Sequence, residues 1–363
     1  MAYQYAREVF PQASFLRLGL TYPLPKRLLR EFAAQVERLI VIEELDPFVE
    51  EAIRLLGIRV EGKSIFPLSG EFDPTLLRSC ARKAGLIEDN ETDKTIQMSL
   101  GPLPARPPVL CPGCPHRGVF VILKKLKLVV HGDIGCYTLG YLPPLDSVHT
   151  CGCMGASIGV AHGAHKVGTK QTAVAVIGDS TFCHTGLHAL LNVAYNRGDL
   201  VTIIMDNRTT AMTGHQENPA TGHTLDGKPT FSIDFVKLAQ AMGIKHASVV
   251  DSYDLDQLER TLRAAIKSGE PTVILAQREC ALLPSSRREW QPLKVEAAVC
   301  NGCGLCFAIG CPAFIRSDQA DPKTHRFLAH IDPLLCTGCE ICAQVCRRGA
   351  ILKRDQVVPE TII

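Results

Sequence analysis

The stretch "TAVAVIGDSTFCHTGLHALLNVAYNRGDLVTIIMDN", residues 172–207, decides the fold. Its two ends, "TAVAVIGD" and "LVTIIMDN", are almost continuously apolar and rich in Val and Ile. Parallel strands covered on both faces read this way. Between them, "TGLHALLNVAYNRG" sets Leu187, Leu190, Leu191 and Ala194 at helical spacing, and Gly198 closes the helix. A strand, a helix and a strand in this order predict a βαβ unit of a doubly wound parallel sheet. The later helix pattern "DLDQLERTLRAAIKSGE" and strand pattern "PTVILAQ" continue the alternation, so an α/β domain is expected over 110–290.

On either side the pattern changes. Residues 1–88 read as a small α/β domain, with "RLIVIEE" (38–44) as a buried strand and "DPFVEEAIRLLG" (46–57) as a helix. Asp46 is placed to cap that helix, Pro47 suits its first turn, and Gly57 stands just past its end. Residues 89–109 are polar and then Pro-rich, which predicts a linker. Residues 291–363 are short-patterned and Cys-rich.

The bulk properties bound the function. A chain of 363 residues is long for one ordinary domain. Lys and Arg number 39 against 37 Asp and Glu, a net charge of +2, which argues against a nucleic-acid or polyanion binder. No apolar run approaches the roughly 18 residues of a membrane span, so no membrane association is expected. The start, "MAYQYAREVFPQ", lacks a signal-peptide core, which makes the cytoplasm the expected location. In that setting 16 cysteines point to metal or redox chemistry rather than to disulfides.

Half of them fall in two runs. Cys300, Cys303, Cys306 and Cys311 form one, and Cys336, Cys339, Cys342 and Cys346 the other. The pair resembles the bacterial two-cluster ferredoxin pattern, in which CxxCxxC supplies three thiolates to a cluster and the other run supplies the fourth. The resemblance implies Cys300, Cys303, Cys306 and Cys346 on one 4Fe–4S cluster, and Cys336, Cys339, Cys342 and Cys311 on the second. The pattern departs from the usual one in two places. One extra residue separates Cys306 from Cys311, and Arg347 stands where Pro usually follows. Zinc is the alternative occupant, but it is more often held by paired CxxC motifs than by a repeated triple.

"GDSTFCHTG" opens at a strand end, "DN" (Asp206, Asn207) ends the next strand, and residues 181–205 lie between. This resembles the thiamin diphosphate signature. A diphosphate is bound with Mg²⁺, which prefers hard oxygen ligands. Asp179 offers a carboxylate and Asn207 an amide oxygen, and the resemblance implies the Thr209 carbonyl as a third ligand. It also places Gly178, Ser180, Thr213 and Gly214 against the cofactor, with the diphosphate at the helix start after Ser180. The alternative is an ordinary βαβ unit with a capping Asp.

With both signatures placed, the whole chain resembles the 2-oxoacid:ferredoxin oxidoreductases that act on arylpyruvates. The residues that carry this are "CPGCPHR" (111–117), "GDIGCYTLG" (132–140), "CMGASIGVAHG" (153–163), "GDSTFCHTGL" (178–187) and "DNRTTAMTGHQENP" (206–219), followed by the ferredoxin runs. Residues 1–88, with "YPLP" and "VIEELDPFVEE", resemble a transketolase C-terminal domain. The resemblance implies oxidative decarboxylation of an arylpyruvate, indolepyruvate first among them. The acyl group would pass to coenzyme A and the electrons to an external ferredoxin. Family members begin with a pyrimidine-binding domain that nothing here matches. Either the sequence is a fragment or that half of the site lies on another polypeptide, and the chain is expected to need a β subunit or another chain carrying that domain.

The family also implies a third cluster beside the cofactor, and Cys111, Cys114, Cys136 and Cys280 match its positions. The alternatives are that CPGC is a Pro-Gly turn and that Cys136 and Cys280 are small buried hydrophobes. Cys80, Cys151, Cys153 and Cys183 read as packing residues, Cys183 being nearest the cofactor motif. His184 and His215 flank that motif and are candidates for phosphate orientation or proton transfer, with a purely hydrogen-bonding role equally open. His116 reads as a packing residue beside the CxxC. The basic tail Arg347, Arg348, Lys353 and Arg354 is either a solvated end or a patch that steers an acidic ferredoxin. The other function classes are a second 2-oxoacid specificity, a non-oxidative thiamin enzyme, an electron-transfer subunit with an incomplete thiamin fold, and an iron–sulfur regulator.

Overall fold

The computed structural model describes residues 1–88, 101, 103–168, 172–287 and 290–353, and the chain divides into two units, Met1–Pro104 and Ala105–Ile363. Residues 89–100 and 102 of the expected linker, and Arg354 of the basic tail, lie outside the described residues.

The first unit holds helices α1 (Ala2–Val9), α2 (Lys26–Ala33), α3 (Phe48–Arg54) and α4 (Pro74–Lys83). They cover two small cores, one around Phe66, Phe72 and Leu77 and one around Leu29, Ile53 and Val60. Two expectations are corrected here. Residues 38–44 run extended but do not form a strand: one parallel bridge joins Ile40 to Glu61. Its two bonds run from Val41 N to Glu61 O (2.8 Å) and from Glu61 N to Leu39 O (3.0 Å). No further described segment of this unit extends the ladder, so the apolar residues pack as a half-buried ribbon. Asp46 does not cap α3 with its side chain. The Glu43 carboxylate does, accepting from Val49 N at 2.8 Å and Glu50 N at 2.9 Å. A longer side chain reaching from before the turn satisfies two amides at the helix start at once. Gly57 has φ +77°, as a residue just past a helix end commonly does.

The second unit contains α5 (His116–Lys125), β1 (Val129–Gly132), β2 (Thr150–Cys151), α6 (Ala156–Lys166), β3 (Ala173–Gly178), α7 (Asp179–Thr181), α8 (Leu187–Tyr195) and β4 (Val201–Asp206). It continues through α9 (Phe235–Ala241), β5 (His246–Asp251), α10 (Leu255–Ser268), β6 (Thr272–Gln277) and α11 (Pro284–Arg287). The Cys-rich end adds β7 (Leu293–Val295), β8 (Phe314–Ala320), β9 (Phe327–Ile331), α12 (Ile341–Val345) and β10 (Ile351–Lys353).

β1 to β6 form one sheet in the order β2-β1-β3-β4-β6-β5, and every pairing is parallel. β4 is buried at all six positions, as a central strand covered on both sides must be. Alternate residues serve opposite cores. Val174, Val176, Val201 and Ile203 pack with α5, α10 and the Cys-rich end, whereas Ala175, Ile177 and Ile204 pack under α6, α8 and α9. This is the expected doubly wound α/β architecture, followed by a Cys-rich, ferredoxin-like module that shares one face of its sheet. In α8, Leu190 is buried as expected, but Leu191 is 52% exposed, because the helix turns that flank outward.

In the ferredoxin-like module the first and last strands, β7 and β10, pair antiparallel, and β8 pairs with β9. The extra residue between Cys306 and Cys311 is taken up by a 3-10 turn, Phe307–Ile309, closed by Gly310 at φ +66°. Among the described residues no helix is long and apolar enough to cross a membrane.

The Glu43 cap yields a direct prediction. Glu43→Ala should destabilise the first unit by about 1 kcal/mol and speed amide exchange at Val49 and Glu50, while Asp46→Ala should leave both nearly unchanged. Hydrogen exchange read residue by residue checks this, and the reverse ranking contradicts it.

Candidate functional site

Because the strands run one way, their carboxyl ends share an edge, and the chain reverses its winding between β1 and β3, where such sheets hold ligands. β1 runs into Asp133, β3 into Asp179, and β4 ends on Asp206 followed by Asn207; all four side chains are buried. The Asp133 carboxylate accepts from Ile134 N (2.9 Å), Gly155 N (2.8 Å) and Ser157 N (3.0 Å). It thereby ties the end of β1 to the start of α6. The Tyr137 hydroxyl donates to Ile134 O (2.7 Å) and lies within hydrogen-bond distance of Thr181 Oγ1 (3.2 Å), joining the 132–140 loop to α7. This apposition requires Gly178: a Cβ there would stand 2.5 Å from the Tyr137 ring.

Asp179 opens α7, which a wide π-type turn, Phe182–Gly186, joins to α8. Burial, and then the charge of Asp206, push the Asp179 carboxyl up to about 7. Burial and the same two acids push the Cys183 thiol up to about 12. Asp206 is steadied by Gln277 Nε2 (2.7 Å), Arg208 N (3.0 Å) and Arg208 Nε (3.3 Å). Asn218 Nδ2 donates to Asp179 Oδ2 at 3.4 Å and folds the loop after β4 back over the acids. Thr209 N donates to Asn207 Oδ1 (3.3 Å), and Thr210 Oγ1 donates to Ser180 Oγ (2.9 Å). Gly178, Asp179, Ser180, Asn207 and Thr209 are therefore gathered at one strand edge. Thr213, Gly214 and His215 occupy an exposed loop that bonds within itself, with His215 N donating to Thr210 O (3.0 Å). His184 is also exposed.

The cysteines sort into three groups. Cys300, Cys303, Cys306 and Cys346 line one small cavity. Cys311, Cys336, Cys339 and Cys342 line another, together with Gly113 and Arg117. Cys111, Cys114, Cys136 and Cys280 come from three separate segments and meet at the sheet edge. Cys111 and Cys136 raise Cys114, and Cys280 and Cys111 raise Cys136, in each case after burial. Cys280 N donates to Asn207 O (3.0 Å), so this third group is anchored to the strand-end motif. Neighbouring thiols also bridge the first two groups, since Cys306 helps to raise Cys342. Cys151 and Cys153 are exposed, and Cys80 belongs to the first unit.

Among the described residues no three His, Cys, Asp or Glu side chains converge tightly enough to share a single ion. That suits both chemistries considered. Four thiolates around an iron–sulfur cube bind four different irons. A Mg²⁺ site built on Asp179, Asn207 and the Thr209 carbonyl needs only one of those side-chain types.

Several contributors were invisible in the sequence pattern. Asp133 repeats the Gly-Asp strand end of Gly178-Asp179, and that repeat was the available signal. Asn218 and Tyr137 carry no such mark. His116 is buried and packs edge-on to Tyr137 (5.6 Å between ring centres), and burial lowers it to about 4, so it stands as a neutral packing group. In the basic tail, Lys353 pairs with Glu340 at 2.8 Å, while Arg347 and Arg348 are exposed. A cleft of about 950 Å³ opens beside β5 and β6 between Tyr253, Arg278, Trp290 and Cys339. It touches the Asp206 side through Arg208 and Gln277 but does not include Asp179.

Comparison with known proteins recognises two regions of the chain. The model of the thiamine pyrophosphate enzyme C-terminal binding domain matches residues 133–276, and the 4Fe-4S binding domain matches residues 329–352. The chain is 38% identical to the indolepyruvate oxidoreductase subunit IorA of Pyrococcus horikoshii, over 97% of this chain and 59% of that protein. It is 38% identical to the Thermococcus kodakarensis subunit over 95% and 58%, and 35% identical to the Archaeoglobus fulgidus subunit over 97% and 58%. The chain thus spans about three fifths of the length of the curated relatives it matches. A solved 2-oxoglutarate:ferredoxin oxidoreductase from Magnetococcus marinus superposes at TM-score 0.45 and 17% identity, over 52% of this chain and 71% of that one, too distantly to add to the argument.

Proposed function

We propose that the chain, which is similar over nearly its whole length to indolepyruvate oxidoreductase IorA subunits, carries the thiamin and electron-relay part of an arylpyruvate:ferredoxin oxidoreductase. What supports this reading is that the three cysteine groups adjoin one another. Cys280 of the first is bonded to Asn207, the Cys311 group shares the neighbourhood of Arg117 and Gly113 with it, and Cys306 of the Cys300 group lies close enough to act on Cys342.

When bound, thiamin diphosphate supplies the carbanion chemistry that decarboxylates a 2-oxoacid, and iron–sulfur clusters accept the electrons singly. Asp179, Asn207 and the Thr209 carbonyl would hold Mg²⁺, with Gly178, Ser180, Thr213 and Gly214 around the diphosphate. Two buried carboxylates pressed together, one of them raised to about 7, form a site that a divalent ion relieves. Asn218 and Gln277 keep the acids apart from bulk water and in place. His184 and His215 are both exposed, and they are the groups proposed to take up or deliver a proton.

Each cysteine group supplies four thiolates. Cys300, Cys303, Cys306 and Cys346 would hold one 4Fe–4S cluster, Cys311, Cys336, Cys339 and Cys342 a second, and Cys111, Cys114, Cys136 and Cys280 a third. Coenzyme A accepts the acyl group and an external ferredoxin the electrons. The relatives are named as subunits, so a β subunit, or a chain carrying the pyrimidine-binding domain, would complete the site. Residues 1–88 fill the place of a transketolase C-terminal domain, 110–290 the thiamin domain and 291–363 the ferredoxin module.

Anaerobic methyl-viologen reduction tests the activity. Indolepyruvate with coenzyme A and the partner subunit should give reduction, and omitting either substrate should abolish it; no reduction in the complete mixture contradicts the reading. The acid pair gives a pH test. Asp179 is raised by burial and by Asp206, so below about pH 7 Mg²⁺ must expel a proton to bind. Apparent Mg²⁺ affinity in the presence of thiamin diphosphate should fall up to roughly tenfold from about pH 7 to about pH 6 and level off above about pH 8. Calorimetric titration reads this directly, and a flat profile counts against the assigned ligand.

A further inference from the structure

Arg117 is fully buried, at 1% exposure, and it stands between two of the cysteine groups. Nη1 donates to Ile309 O (2.8 Å) and Gly310 O (2.6 Å), and Nη2 donates to Leu110 O (2.7 Å) and Cys111 O (2.9 Å). All four acceptors are neutral carbonyls. A buried guanidinium without a countercharge is strongly disfavoured. Its remaining donor, Nε, is buried and has no partner. The same side chain lines the cavity bounded by Cys311, Cys336, Cys339 and Cys342. The negative charge it lacks is what a four-thiolate iron–sulfur centre carries, and the charge grows by one on reduction.

We propose that Arg117 is the fixed countercharge shared by the Cys111–Cys114–Cys136–Cys280 centre and the Cys311–Cys336–Cys339–Cys342 centre, with Nε–H as a donor toward the latter. This rests on the reading of those groups as cluster ligands. Net charge, hydrogen bonds to sulfur and solvent exposure set cluster potentials. Burial disfavours the more negative, reduced state, and a cation between the two centres offsets that effect. Arg117 therefore keeps both inner centres reducible and leaves the outer centre, on Cys300, Cys303, Cys306 and Cys346, to its own surroundings.

Redox titration of the cluster-loaded chain, followed by EPR, tests the proposal. Arg117→Gln should retain its iron and show two of three centres at least tenfold harder to reduce, about 59 mV lower for a one-electron couple, with the third unmoved. Arg117→Lys, which keeps the charge and loses the fork, should stay within about threefold of the unmodified chain, a shift of about 30 mV. Full iron with unchanged potentials in Arg117→Gln, or an equal shift at all three centres, overturns the proposal. If Arg117→Gln does not retain iron, pulsed EPR of the unmodified, ¹⁵N-arginine-labelled chain replaces it. A nitrogen coupling at a reduced inner centre is expected, and its absence overturns the assignment. Iron analysis of the unmodified chain tests the cluster reading separately, so the two failures are distinguishable.

Discussion

Six parallel strands place all their carboxyl ends on one edge, and the candidate site is assembled there. The sheet needs no special residues to do this; β-branched and aliphatic runs buried on both faces suffice. What the edge then collects is polar. Asp133, Asp179 and Asp206 lie at or just past strand ends, and Cys280 follows β6 by a short turn. Isolated buried acids would be costly, so each is held by amides, by Asn218 or by Gln277. Asp179 and Asp206 act on each other, and they are the pair at which the cation is proposed to bind.

The ferredoxin-like module joins the same unit through burial and through main-chain bonds. Ile309, Phe314, Ile341 and Ile351 pack into the core beneath α5 and α10. Gln344 Nε2 donates to Tyr253 O (2.7 Å), and its Oε1 accepts from Leu255 N (3.0 Å). Arg117 adds carbonyl bonds on both sides of the boundary. Gly113 and Thr337 approach so closely that a Cβ at Gly113 would stand 2.2 Å from Thr337 Oγ1. Side chains larger than glycine there would part the first CxxC from the second ferredoxin run.

Much of this was legible in the sequence, because spacing encodes it. The apolar runs at 172–178 and 201–206 became β3 and β4, and the Gly-Asp-Ser and Asp-Asn motifs fell at their ends. Cysteine spacing sorted the two ferredoxin groups, and the same cysteines line the two cavities. What failed or stayed hidden depends on partners far along the chain. Arg117 bonds a carbonyl 192 residues away, and neutral carbonyls leave no trace in a sequence. The stretch 38–44 has strand composition but only one bridging neighbour, and composition cannot report a missing partner. Asp46 was the expected cap for α3 by position, yet Glu43 reaches the same amides from outside the turn. Propensity ranks residue types, whereas the loop path decides which carboxylate arrives.

The central claim is that the chain gathers three four-thiolate sites in one unit, the first of them at the strand edge. Iron and acid-labile sulfide counted on the anaerobically purified, unmodified chain test it most directly. The account predicts about twelve irons and about twelve sulfides per chain. About eight of each would contradict the site formed by Cys111, Cys114, Cys136 and Cys280, and zinc in place of iron would contradict the relay altogether.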